Sequence, residues 1–404
     1  MLVLRYARGG GRARSRNTGP PCGAHVSGPG YPAARIVAPQ VADHFSRHLT
    51  AARGDGEIPL ATPPDAVVVE AIVEAAFWAS LRREEGHSPT VSLAFLPPEQ
   101  SRRPLRFERP LPLATGPLLR LAPAVERSGI HLGFWRSGRE LRIWGVTRTL
   151  PPFCFVLEVV GPGLLVVKHR GDRDAGKFVN VAVLEGDQVK IVDARRATLP
   201  DGASVACPLL GADPIDAGLD PAGVLLQLAV SIRAHGRGGS LLVVPPGSVS
   251  WRESILQAGP FAVAPSSSEL GELMRRDPAE REQLSWRVAQ RRAVDAVAGL
   301  TAVDGATIID SRYDLLAFGA KLGRRDGRPP VQRVIVSEPV ANAVTAEIDS
   351  SELGGTRHLS AAQFVHDQHD AIGLVASQDG HFTVFAWSPE RRMVHAHRIE
   401  ILLL

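Results

Sequence analysis

The run Ser240-Leu241-Leu242-Val243-Val244 is apolar on both alternating positions. A strand that faces water on one side alternates, whereas one with no polar alternation is buried on both faces and requires a sheet covered by helices. The surrounding segments supply those layers. A helix spans Val224 to Ala234, apolar at Leu225, Leu226, Leu228, Ala229 and Ile232, and stops at His235-Gly236-Arg237-Gly238-Gly239. Helical segments follow at Ser268 to Arg276 and, as one long element, from Pro278 to Ala298. A hairpin pairs Ala306 to Asp310 with Leu315 to Ala320. Val331 to Ser337 is a strand, Ser360 to His369 a helix, and Ile372 to Ser377 and Phe382 to Trp387 are strands. His395 and His397 alternate on a terminal strand, which points both to one exposed face.

Upstream, Pro63-Pro64-Asp65 opens a helix with a broad apolar face (Val68, Ile72, Val73, Ala76, Phe77). A strand at Val91 to Leu96 comes next. Residues 97–130 are rich in Pro and Arg and read as loop apart from a helical piece at Leu118 to Val125. Five strands then run through Leu141 to Val146, Cys154 to Val160, Leu164 to Val167, Val179 to Leu184 and Gln188 to Val192, separated by turns such as Gly161-Pro162-Gly163. The fold class is α/β, α+β overall: an N-terminal α+β domain over 41–200, a Pro/Gly-rich linker over 201–220 and a mixed sheet flanked by helices over 221–404. Residues 1–40, rich in Gly, Arg and Pro without periodicity, read as a disordered tail. No internal repeat is visible.

Composition narrows the function classes. The formal charge is +4, but six arginines (Arg5, Arg8, Arg12, Arg14, Arg16, Arg35) precede the first acidic residue, Asp43; removing them leaves −2. The basicity belongs to the tail, which argues against a broad nucleic-acid-binding face. No apolar stretch reaches the roughly 18 residues of a membrane span. Three separated cysteines (Cys22, Cys154, Cys207) form no CxxC pair, which fits a cytoplasmic setting better than a disulfide framework or a cysteine zinc site. His366 and His369 lack a third ligand and read as a solvated helix end.

Two short patterns carry chemistry. Asp304-Gly305-Ala306 places a carboxylate at a strand entry beside a glycine that permits close approach of a ligand; alone, it is also ordinary turn chemistry. Gly354-Gly355-Thr356-Arg357-His358 is a glycine-rich entry to a helix, offering backbone N–H groups, a hydroxyl, a guanidinium and an imidazole to phosphate oxygens. Alone, it is equally a capped turn.

In this order, the two patterns make residues 221–395 resemble the catalytic domain of the diadenylate cyclase family, which joins two ATP into cyclic di-AMP. The resemblance rests on the helix and glycine turn before the apolar strand, the complete Asp304-Gly305-Ala306 motif with its hairpin, and Gly355-Thr356-Arg357-His358 before a helix. It implies that Asp304, Arg357 and His358 are catalytic, that Gly305, Ala306, Gly355 and Thr356 bind the nucleotide, and that Asp304 holds Mg²⁺ or Mn²⁺. It also implies ATP as substrate and a face-to-face dimer, since each ATP attacks the other. The first half resembles, by position and architecture, the DACNV sensor module found ahead of such domains. One departure stands out: Leu359 occupies the place of the family's second motif arginine. Arg324, Arg325 and Arg328 are candidate substitutes, and a catalytically degenerate nucleotide-binding scaffold is the alternative reading.

Overall fold

A computed structural model of the protein describes residues 30–52, 60–83, 86–138, 140–171, 178–193, 223–257, 262–263 and 269–404. The expected linker over 201–220 lies outside the described residues. Two mixed sheets flanked by helices confirm the α+β class. The first contains β1 (Val91–Phe95), β2 (Leu105–Pro112), β3 (His131–Ser137), β4 (Glu140–Thr147), β5 (Phe155–Gly161), β6 (Leu164–Arg170), β7 (Phe178–Glu185) and β8 (Gln188–Ile191). Its spatial order is β2-β4-β3-β1-β5-β6-β7-β8. On one face lie α1 (Pro32–Ala52), α2 (Ala66–Ser80) and α3 (Thr115–Val125). Asp65 caps α2 by accepting the Val68 N–H at 2.9 Å and also pairs with Arg136.

The second sheet is built from β9 (Gly239–Val244), β10 (Ile255–Gln257), β11 (Ala306–Asp310), β12 (Leu315–Leu322), β13 (Arg333–Ser337), β14 (Ala346–Asp349), β15 (Ile372–Ala376), β16 (Phe382–Ser388) and β17 (Met393–Arg398). Its order is β10-β12-β11-β9-β15-β16-β17-β13-β14. Every residue of β9 is buried, as its unbroken apolar run requires. One face packs against α4 (Val224–Ala234), α5 (Glu269–Met274) and α7 (Leu284–Leu300), with the short α6 (Pro278–Arg281) leading into α7. The other face packs against α8 (Thr356–Asp367) through Ala361, Ala362, Phe364 and Val365. The sheets meet where β8 runs on into the chain after β13: Ala341 N donates to Ile191 O at 2.8 Å, and Asp193 N to Pro339 O at 2.9 Å. Ile401 packs there against Val166 and Val183.

Several expectations are corrected. Helix α1 begins at Pro32, inside the stretch read as tail. Val37, Val41 and Phe45 bury one of its faces, and Tyr31 stacks on Phe77 at 3.7 Å. The proline at position 39 and the glycine- and arginine-rich leader masked that period. Strand β2 lies in the region read as loop: it is an edge strand and mostly exposed, so it carries no apolar alternation. Strand β3 also went unread. The long helix from Pro278 divides into α6 and α7 around Gln283, which caps α7 in an extended conformation. His395 and His397 are buried, 3% and 1% exposed, because β17 is an interior strand between β16 and β13. Both imidazoles hydrogen-bond the Ser337 hydroxyl, at 2.6 and 2.5 Å. Cys154 is a buried free thiol, and the other two cysteines lie outside the described residues.

Candidate functional site

Both motifs come to the same end of the second sheet. Strands β9 and β11 are parallel with Ser240 opposite Ala306, so Asp304 and Gly305 enter the sheet beside the start of β9. Gly305 has φ +118°, and a Cβ there would stand 2.5 Å from the Gly319 carbonyl carbon. The glycine is therefore demanded by the hairpin's own backbone, a stronger reason than the close approach of a ligand. Asp304 is exposed. Lys321, on β12, donates to its carboxylate. That hydrogen bond and charge, followed by the charge of Arg357, hold the Asp304 carboxyl below its ordinary range, so it is ionised near neutral pH.

Helix α8 begins at Thr356, four residues before the expected start, so Thr356, Arg357 and His358 occupy its first turn. Gly354 at φ +126° turns the chain into it, and no side chain caps its N-terminus. Successive helical residues diverge by about 100°, which separates the fates of Arg357 and His358. Arg357 turns outward beside the glycine turn: a Cβ on Gly238 would stand 3.2 Å from its Nη1. His358 turns inward, 7% exposed, edge-on to Phe385 at 6.0 Å. Burial, and then the nearby Arg398, push its pKa down, so it is a neutral imidazole.

Two cavities share the first turn of α8. One, of about 540 Å³, is lined by Asp304, Gly305, Ala306, Lys321, Thr356 and Arg357, together with Ser240 and Ser360. The other, of about 670 Å³, lies beyond Arg357. It is lined by Gly355, Thr356, Arg357, His358, the end of β15 (Ala376, Ser377), and Lys190, Arg398, His381, Glu338, Asp379 and Glu400. Thus Asp304 shares a cavity with Arg357 and Thr356, while Gly355 and His358 border only the second. Arg357 makes no ion pair among the described residues. Lys190 and Arg398, by contrast, both pair with Glu338, at 3.4 and 3.7 Å. An unpaired guanidinium at an uncapped helix N-terminus is a ready partner for an anion.

Lys321 and Lys190 escaped sequence reasoning. Lys321 stands one residue past Ala320, the partner of Ala306 in the hairpin register, so the register alone could have pointed to it. Nothing local could have pointed to Lys190, which reaches the second cavity from β8 of the first sheet. Leu359 is 40% exposed and lines neither cavity. Of the suggested substitute cations, Arg325 is tied to Glu253 at 2.5 Å, and Arg324 and Arg328 line neither cavity. His369 stacks on Trp387 at 3.7 Å. No group of three or more His, Cys, Asp or Glu among the described residues could hold a metal ion, and no helix among them is long and apolar enough to cross a membrane.

Residues 58–148, which contain α2, α3 and β1 to β4, match the family model described as "Probable sensor domain DACNV". No curated protein matches the chain. The first half of the molecule therefore carries a probable sensor domain.

Proposed function

We propose that the second sheet is a diadenylate cyclase-like nucleotidyltransferase site, governed by the probable sensor domain ahead of it. The observation that carries this reading is one cavity bordered by the Asp304 carboxylate and by Thr356 and the unpaired Arg357 at the start of α8. In the reaction, the ribose 3′-oxygen of one ATP bonds to the α-phosphorus of a second. The bond from that phosphorus to the bridging oxygen breaks, pyrophosphate leaves with the electron pair, and the hydroxyl proton is released. The same step in the other direction closes the ring and releases a second pyrophosphate. Two sites must face each other for both steps, so activity requires self-association.

Arg357 and Thr356 supply donors for triphosphate oxygens and for the charge that builds on the leaving group. His358, neutral and buried, packs beneath that turn and sets its position. Asp304, ionised by Lys321, is a weak base but a good hard-cation ligand. The residues fit Mg²⁺ or Mn²⁺ only as a shared ion, with Asp304 as the protein ligand and nucleotide phosphates completing the shell. Such an ion, when bound, would neutralise phosphate charge and make the 3′-hydroxyl more acidic.

Purified full-length protein incubated with ATP and Mn²⁺ should form cyclic di-AMP at a rate per chain that rises with protein concentration. Absence of product at every concentration would refute the cyclase reading. One observation favours a second reading, a nucleotide-binding scaffold without turnover: Leu359 stands in place of a family arginine, and none of Arg324, Arg325 and Arg328 lines either cavity. That reading predicts ATP binding without product.

A further inference from the structure

The two sheets are built alike. In the first, the central β1 pairs in parallel with β3, which pairs with β4, which pairs with β2; on its other side β1 pairs antiparallel with β5, followed by β6 and β7. In the second, β9 pairs in parallel with β11, then β12 and β10, and on the other side antiparallel with β15, β16 and β17. Chain order matches as well: α2 and α4 precede the central strands, and α3 and α7 precede the parallel neighbours. Aligning the starts of β1 and β9 sets Ser92 on Ser240 and Glu158 on Val375, since these are the respective cross-strand partners. The segment β13–β14–α8 has no counterpart between β4 and β5, where residues 148–154 cross without a helix.

A cavity of about 240 Å³ opens in the first sheet at the end equivalent to the nucleotide site, between the start of β1, the turn entering β3 and the end of β5. Its polar lining is Thr90, Ser92, Glu126, Arg127, Ser128 and Glu158. Ser92 is 8% exposed, and its hydroxyl is held at 2.7 Å from His131 Nδ1. Glu158 is fixed by Lys168 at 2.6 Å. The Thr90 hydroxyl oxygen is buried and has no hydrogen-bond partner among the described residues. A buried hydroxyl left unpaired is costly, and Thr90 is a lining residue of this polar cavity.

We propose that this cavity is a second ligand site, equivalent by fold to the sugar end of the nucleotide site, for a nucleoside carrying at most one phosphate. The missing α8 removes the helix N-terminus and the arginine that would hold a polyphosphate, and the volume is less than half that of the nucleotide site. Hydroxyls and the carboxylates of Glu126 and Glu158 match the hydroxyl and amino groups of a nucleoside, and Arg127 can meet a single phosphate. The choice of a nucleoside rests on the nucleotide reading of the second sheet.

The test uses full-length protein carrying Arg357→Ala, titrated calorimetrically with adenosine and separately with AMP. One of the two should bind at one equivalent per chain. Thr90→Val and Ser92→Ala, each added singly, should weaken it about tenfold, the effect of one lost hydrogen bond, with the unfolding temperature of the near-isosteric Thr90→Val not lowered. Tighter binding of AMP that Arg127→Ala abolishes would place the phosphate at Arg127; equal binding of both ligands would make the nucleoside the recognised unit. No binding of either ligand, or equal binding by the parent and both hydroxyl variants, would overturn the proposal. ATP affinity left unchanged by Arg357→Ala in the otherwise native chain would refute the second-sheet reading separately.

Discussion

The first and second sheets share seven strands in the same spatial and chain order, yet they present different chemistry at the same edge. The second has acquired a strand pair and α8 between β12 and β15, and with them a glycine-turned, uncapped helix N-terminus bearing Arg357. The first passes straight from β4 to β5 and keeps a smaller hydroxyl- and carboxylate-lined cavity. The two halves thus differ chiefly in what is inserted at one crossover, while the sheet itself serves as a common frame. The halves also touch at the larger cavity: Lys190, from β8, reaches its wall, where it pairs with Glu338 at 3.4 Å and approaches Glu400 at 3.9 Å.

The comparison breaks most readily at α8. Arg357→Ala should cut cyclase turnover about 100-fold, the scale of losing one donor to developing charge, with no change in unfolding temperature. Retained turnover would show that α8 is merely structural. Acid should strike both sheets. Burial pushes His131, in the first, and His397, in the second, down to about 4. The unfolded chain, with ordinary imidazoles near 6.5, takes up these protons first. The stability each site contributes is therefore complete above about pH 6.5 and is lost as pH falls toward 4, about 3 kcal/mol per site. Urea midpoints measured from pH 7 to pH 4 should fall accordingly; a flat profile would contradict the burial of both imidazoles.

Next in size is Gly305→Ala, which drives a methyl into the backbone of β12 and should cost about 2–3 kcal/mol. Ile130, the topological counterpart of Gly305 in the first sheet, faces no such limit, so Ile130→Ala should cost about 1 kcal/mol. Equal losses in thermal unfolding would show that the backbone of β12 sets no special limit at Gly305. The smallest effect belongs to Leu359→Arg. Because Leu359 lines neither cavity, turnover should change by less than about threefold; a gain of about tenfold or more would show a site crippled by the missing arginine.

Some features were legible locally. The buried strand β9, helix α4 and the β11–β12 hairpin follow from apolar period and turn residues, and both motifs were read from residues adjacent in the chain. The start of α8 was misplaced because Gly-Thr-Arg-His carries no apolar period, and α1 was hidden by Pro39 and its arginine-rich approach. The histidines of β17 were assigned to solvent because alternation reports which residues share a face, never what covers that face.

By itself, the sequence determined the types of the strongly patterned elements such as α4, β9 and the β11–β12 hairpin, the two motifs and the absence of a basic folded body, since these depend on neighbours within a turn or a strand. Tertiary structure decided which cations reach the cavities, which histidines are buried and that the two halves repeat one topology. Strand pairing joins residues far apart in the chain, and a repeat held only in backbone hydrogen bonds and burial leaves side chains free to diverge, so no local pattern records it.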